Sequence, residues 1–249
     1  MRIAVAGATG RIGKLTVTAL ADAGHQPVRI SRADGIDAYT GAGLDDALKD
    51  ADAVIDATNV GSRDETETVD LFGTMTRNLL TAGGRAGVRH HVLLSIVGLD
   101  RGGRSPHYSG KREQERLVAE GPVPWTIVRT TQFHDFAAMV AGWATRDGVA
   151  TIAPLLVQPI APADVAAVLA ETATAAPRYA TMDVAGPQTQ DLVDMARRTF
   201  AVRGQDITLI PTWRGVFGLS VAGEVLLPRE GARLTSTTFE QWLAAGAVD

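Results

Sequence analysis

The sequence of 249 residues contains no cysteine. Disulfides, thiolate metal centres and cysteine nucleophiles are therefore excluded. Histidine is scarce too: there are five, and none stands at metal-ligand spacing. His90 and His91 are adjacent, and on a strand they would point to opposite faces. No apolar run approaches the roughly 18 residues of a membrane-spanning helix. No leader-like segment precedes the first apolar strand, so a soluble, cytoplasmic protein with no membrane partner is expected. A strong charge imbalance is also missing. The net charge of -4 argues against nucleic acid as the main partner.

What is present is enough apolar chain for a proper core: 45% hydrophobic against 21% charged. That length suits one large α/β domain or a nucleotide domain with a small appendage. The most informative stretch comes first. Ile3-Ala4-Val5-Ala6 reads as a buried strand. Gly7, Gly10 and Gly13 follow at G-x-x-G-x-x-G spacing, and Lys14 to Ala21 has helical periodicity. Strand, glycine turn and helix together are the context that gives such a motif meaning. A dinucleotide pyrophosphate needs close backbone N–H donors and a positive helix end, and this turn supplies both. Gly7 would make the turn, Gly10 would admit the phosphate, and Gly13 would let the helix sit close on the sheet. Thr9, Arg11 and Ile12 complete the expected contact loop.

Strands and helices then alternate. Strands are expected at Pro27–Arg32, Asp37–Thr40, Ala53–Ala57, His91–Ile96 and Trp125–Arg129. Helices are expected at Leu44–Leu48, from Glu65 to Ala82 with a stop at Gly83-Gly84, and from Tyr108 to Glu120. This alternation predicts a doubly wound parallel sheet covered on both faces. Further on, helices are expected from Pro162 to Ala175 and from Gln190 to Ala201, with strands at Tyr179–Val184 and Asp206–Pro211 and a last helical turn at Phe239–Leu243. The apolar stretch Gly215–Leu227 reads equally as a core helix or as the lining of a ligand cavity. Asp45, Asp46, Asp50 and Asp52 read as solvated, Asp164 as serving a helix start, and Trp125 and Trp242 as packing residues.

A site that prefers NAD usually places an acid at the end of the second strand, to bind the ribose hydroxyls. Here that strand ends Ile30-Ser31-Arg32, with Asp34 two residues later. A carboxylate would repel a 2′-phosphate, whereas the forked guanidinium of Arg32 matches it. Arg11 could reach the same group. The expected cofactor is NADP.

Taken in order, G-A-T-G-R-I-G, D-A-V-I-D-A-T-N, L-L-S-I-V-G, P-W-T-I-V-R-T-T-Q-F-H-D-F, Q-P-I-A-P-A-D-V-A and T-F-E-Q-W-L resemble the atypical short-chain dehydrogenase/reductases, in their NmrA-like branch. The resemblance spans essentially the whole chain. It implies a Rossmann core over 1–153 and a region over 154–249 that carries the remaining sheet elements and a small substrate-binding part. It also implies that Ala57, Thr58 and Asn59 lie along the cofactor and that Gln132 and Phe133 lie near the nicotinamide. Short-chain reductases typically use Ser, Tyr and Lys, with Tyr and Lys four apart on one helix. Lys111 and Ser95 fit those roles. Four residues before Lys111 stands His107, and Tyr108 is only three before it, so the proton donor could be either or neither. The expected activity is NADP-dependent reduction of a small carbonyl-like metabolite, with substrate over Ser95, Tyr108 and Gln132. An NADP-binding regulator without turnover is the alternative, and an epimerase or biosynthetic enzyme a third. Monomer and dimer both stay open.

Overall fold

The structure, a computed structural model, describes residues 1–103, 105–215 and 217–246. In chain order the elements are β1 (Arg2–Ala6), α1 (Arg11–Asp22), β2 (Gln26–Ile30), α2 (Leu44–Leu48), β3 (Ala53–Asp56), α3 (Glu65–Ala86) and β4 (His90–Ile96). There follow α4 (Pro106–Glu120), β5 (Trp125–Thr130), α5 (Phe136–Ala144), β6 (Thr145–Arg146), β7 (Val149–Ile152), β8 (Leu156–Val157), α6 (Pro162–Thr174) and β9 (Thr181–Ala185). The chain ends with β10 (Gln190–Asp191), α7 (Leu192–Val202), β11 (Thr208–Pro211), β12 (Arg233–Leu234) and α8 (Phe239–Ala244). Seven strands form a parallel sheet in the order β2-β1-β3-β4-β5-β9-β12. Among the described residues no helix is long and apolar enough to cross a membrane.

The chain divides into two compact units: 1–96, 104–129 and 162–182 in the first; 97–103, 130–161 and 183–249 in the second. The expected boundary at residue 153 falls inside the second unit, and α6, beyond it, belongs to the first.

In the first unit β1 and β3 are apolar runs without alternation, and Ile3 to Ala6 and Ala53 to Ile55 are fully buried. Such strands need cover on both faces. Helices α3 and α4 pack together, and α1 packs on α6, which also touches β3 and β4. The core gathers Ala4, Ile30, Leu48, Val54, Leu79 and Leu93. Each buried leucine or isoleucine there contributes about 1.5–3 kcal/mol over an exposed one. His90 and His91 are both buried. His90 is held at Nδ1 by the Ala175 carbonyl, 3.1 Å, and at Nε2 by Thr126, 2.9 Å. The second unit has its own core, with Val140, Ile152, Leu192, Met195 and Phe239. Trp242 stacks on Phe239 there, and Trp125 packs on the first core, so both tryptophans are packing residues as expected.

Several local expectations are corrected. Asp37–Thr40 is a turn, not a strand: the Asp37 carboxylate accepts the Tyr39 N–H at 2.8 Å, and the Asp37 carbonyl accepts that of Gly41. That side-chain bond offers the backbone a partner other than a neighbouring strand. Helix α3 runs through Gly83-Gly84 to Ala86 and stops at Gly87, whose φ of 72° lets the chain leave the helix. The Gly83 carbonyl instead accepts the Val88 N–H at 2.9 Å, beyond the helix end. The described part of Gly215–Leu227 is no core helix. It holds a short 3₁₀ turn, Gly218–Val221, after Phe217 and Gly218 at positive φ, with Leu219 exposed. Asp52 is not merely solvated, because it accepts the Arg2 N–H at 2.8 Å and pairs with Arg89.

Helices α3 and α4 approach each other closely at Gly110 on α4. A Cβ there would stand 2.3 Å from Phe72 Cδ2, and Phe72 is fully buried. Gly110→Val should therefore destabilise the fold by about 2 kcal/mol or more, since overpacking outweighs the gain in helix propensity. Urea unfolding checks this, and an unchanged midpoint would show that α3 and α4 have slack there.

Candidate functional site

The sheet order makes a switch point at β1, because β2 lies on one side of it and β3 on the other. Ligands of open α/β sheets bind outside the carboxyl ends of the strands at such a point. What stands there follows from steric limits. Gly7 leaves β1 at φ 78°, and a Cβ on it would lie 2.7 Å from the Ala57 carbonyl oxygen. A Cβ on Gly13 would lie 2.1 Å from the Gly7 oxygen. Gly13 thus packs the helix onto the turn itself. Gly10 is exposed, and a Cβ there would meet only the Gly7 oxygen, at 3.2 Å. As the N-cap of α1 it brings no side chain, and the first turn contains no acid. The N–H groups of a first turn have no intrahelical acceptor, and the helix dipole makes that end positive. This open, uncapped cradle fits a pyrophosphate. Thr9 and Arg11 are exposed beside it, and Ile12 is buried beneath.

At the end of β2, Ser31 caps a 3₁₀ turn, Arg32–Asp34. The Ser31 hydroxyl donates to Asp34, and Arg29 Nε lies 3.2 Å from the same carboxylate. The Ser31 hydrogen bond above all holds the Asp34 carboxyl below its usual range. Asp34 is thus engaged locally, and Arg32 is exposed on the same turn.

The ends of β3 and β4 carry the buried polar part. Ala57 and Thr58 are buried and Asn59 is exposed. Lys111 reaches in from α4 and is only 4% exposed. Its Nζ donates to the carbonyls of Thr58, at 3.2 Å, and Leu94, at 3.0 Å, and lies 4.8 Å from the Phe72 ring centre. An ammonium has three donors, so one is left for a ligand. Burial pushes its pKa down to about 8, against the opposing charges of Asp56 and Glu115. Ser95 is buried, and its hydroxyl donates to Glu115 Oε1 at 2.5 Å. Glu115 is in turn held by Arg129 through two bonds, 2.8 and 2.6 Å.

Tyr108 and His107 occupy the first turn of α4. Burial raises the Tyr108 pKa, and Arg112 stands over its ring. His107 packs edge-on against Phe72, and burial, with the Lys111 charge, drops its pKa to about 4. Within the first unit the glycine turn touches Ala57, Ser31 and Arg32 follow β2, Thr58 and Asn59 follow β3, Ser95 lies near the end of β4, and Lys111 meets the Thr58 and Leu94 carbonyls, with Tyr108 three residues before it on α4.

Gln132 and Phe133 belong to the second unit. Gln132 is 8% exposed, and Phe133 bridges to Ile160. Sequence reasoning missed Asp56, Thr76, Gln114 and Glu115, which form buried bonds around Lys111 and Ser95. A signal existed for Asp56: it is an acid closing an apolar strand.

Residues 7–176 match the family described as NAD(P)H-binding. A (4-alkanoyl-5-oxo-2,5-dihydrofuran-3-yl)methyl phosphate reductase of Streptomyces griseus is 35% identical over 144 residues, which is 53% of this chain. The chain spans about half the length of that curated relative, 48%. The structure of an NADPH-dependent quinone oxidoreductase from Escherichia coli, complexed with NADPH, has a TM-score of 0.70 at 19% identity and covers 99% of this chain and 100% of that one. A short-chain dehydrogenase/reductase superfamily protein from Agrobacterium tumefaciens, with bound NAD, has a TM-score of 0.72 at 17% identity, covering 99% of this chain and 96% of that one. These two share the fold, and they hold different dinucleotides. The matched segment begins at the turn glycine and takes in the first-unit elements from α1 to α6. The resemblance read from the motifs is thereby borne out: the chain belongs to the NAD(P)H-binding family.

Proposed function

We propose that the chain is an NADPH-dependent reductase of a small carbonyl-like compound. The observation that carries this reading is Lys111, a buried ammonium held by two backbone carbonyls beside an uncapped, glycine-lined helix end. A cation in that place is an expensive group to maintain unless a ligand uses it. The name of the Streptomyces relative, a reductase, supports the reaction class.

In this reading each residue has a role. The N-terminus of α1 binds the pyrophosphate, with Thr9 and Ile12 in the loop. Arg32, with Arg11, meets the 2′-phosphate. Ala57, Thr58 and Asn59 flank the dinucleotide, and the third N–H of Lys111 meets the nicotinamide ribose. When bound, the reduced nicotinamide supplies the hydride. Tyr108 holds the proton, because its raised pKa keeps the phenol protonated through the physiological range. His107, at about 4, is neutral there and has no surplus proton to give. Ser95 orients the substrate carbonyl in this reading. A second reading, an NADP-binding regulator without turnover, is favoured by one observation: the Ser95 hydroxyl already donates to Glu115.

Four variants test the reading. Gly10→Val should leave the fold intact and abolish dinucleotide binding, because the new side chain stands where the phosphate must approach. Fluorescence titration that finds parental NADPH affinity would reduce the loop to a plain turn.

Arg32→Ala should weaken NADPH about ten- to a hundredfold and leave NADH nearly unchanged. A charge-assisted hydrogen bond contributes about 1.5–3 kcal/mol. Equal loss for both cofactors in calorimetry would remove the 2′-phosphate assignment.

Tyr108→Phe should lower turnover by about 10²–10⁴-fold with cofactor affinity kept, since the phenol acts in the transition state. Lys111→Ala should lower both. A parent protein that reduces no carbonyl while Lys111→Ala still weakens NADPH would favour the regulator.

A further inference from the structure

Asp56 has no part in the roles above, yet it is the most deeply buried carboxylate beside the site. It closes β3 after Ala53, Val54 and Ile55, and none of its surface is exposed. A carboxylate without water must gather its hydrogen bonds from the protein. One oxygen accepts the Thr58 N–H at 3.0 Å and the Thr58 hydroxyl at 2.6 Å. The other accepts Thr76 from α3 at 3.3 Å and Gln114 Nε2 from α4 at 3.2 Å. Gln114 also reaches the Thr76 and Thr58 hydroxyls, at 2.9 and 3.2 Å. Three elements therefore meet on one carboxylate.

Two links run from it to Lys111. Gln114 follows Lys111 by three residues on α4, so the two share a helix face, and both are buried. Thr58 gives its N–H and hydroxyl to Asp56 and its carbonyl to Lys111 Nζ.

We infer that Asp56 is the positioning residue of Lys111: through Thr58 and Gln114 it fixes the carbonyl on which the ammonium rests. That the ammonium then serves a dinucleotide rests on the function proposed above; the coupling of Asp56 to Lys111 does not.

The charged surroundings single out Asp56. On α4, Glu115 also faces Lys111, but Arg129 from β5 already balances it with two bonds. Asp56 takes its bonds from uncharged donors only, so its charge is left to act on Lys111. His107, on α4, and His91, on β4, are both pushed by burial to about 4 and are neutral at physiological pH. From α3 the lysine meets the Phe72 ring.

The test uses the whole protein carrying lysine labelled with ¹³C at Cε, which gives three resonances, from Lys14, Lys49 and Lys111. In the parent, Lys111 should titrate at about 8. In Asp56→Asn the midpoint should fall by about one pH unit or more, so that the charged fraction at pH 8 drops about fivefold. NADPH affinity should then match the parent at about pH 6 and be about fivefold weaker at about pH 8. A folded Asp56→Asn whose Lys111 midpoint stays where the parent's is would overturn the inference. Should the variant fail to fold, the parent decides: the ¹³Cγ resonance of Asp56 should show an inflection at the Lys111 midpoint, and a flat trace there overturns the inference as well. Parental NADPH affinity in Lys111→Ala would count against the cofactor role of the lysine alone, leaving the NMR result to judge the coupling.

Discussion

Three stretches of backbone meet at Gly7 with no space for a side chain between them. The Ala57 carbonyl, at the end of β3, presses on Gly7 from one side, and Gly13 of α1 presses on the Gly7 oxygen from the other. Any Cβ at Gly7 or Gly13 would force the turn open, because real Cβ atoms do not approach oxygen that closely. The parallel pairing of β1 with β2 and β3 depends on that closeness, as does the aim of α1. Gly7 N–H also donates to the Ile30 carbonyl at 3.1 Å, which ties the end of β2 into the same knot. Where Ser31 and Arg32 stand is thus fixed by the backbone packing that leaves Gly10 open.

The far wall of the site depends on a second close contact. Helix α4 can approach α3 because Gly110 yields its space to Phe72. That approach carries the next residue, Lys111, to the ends of β3 and β4, where its stem is buried and its ammonium meets two carbonyls. A side chain at 110 would lift the helix, and the lysine would lose its acceptors before any contact with ligand was considered. Here packing and chemistry are one constraint.

Much of this was legible in the sequence, for identifiable reasons. The glycine motif, the apolar strands and the charged helix read at Tyr108–Glu120 each follow a local periodicity, and local periodicity survives in a lone sequence. Lys111 and Ser95 drew notice only through the family resemblance, and both are buried in the structure. The misreadings came where a side chain competes with the backbone ladder or where tertiary contact overrides propensity. Asp37 captures Tyr39 and turns an expected strand into a bend. Gly83 and Gly84 look like a helix end, but the helix continues to Ala86 and ends at Gly87, which takes the positive φ. The partners of Asp56 come from residues 58, 76 and 114, and no spacing rule links positions so far apart. The same holds for Ser95 and Glu115, which only the packing of α4 on β4 brings together.

The two buried carboxylates around α4 show how one scaffold holds charge for different ends. Glu115 meets Arg129 in a bidentate pair, each about a tenth exposed. Such a pair is self-contained: its Coulomb gain offsets its own desolvation, and it adds little net stability. Lys111 is different. Its folded pKa, about 8, lies below the ordinary lysine value of 10.5, so the unfolded chain holds the proton more tightly than the native one does. The sign follows directly: below about pH 8 the charged lysine disfavours the fold, and the penalty fades as pH rises toward 10.5. Two and a half pKa units correspond to about 3 kcal/mol. A fold stable by about 5–15 kcal/mol does not carry such a cost for packing, because a methionine or leucine would fill the same space without it. The cost of burying Lys111 is thus met at one end by the two carbonyls and the Asp56 and Glu115 charges around it.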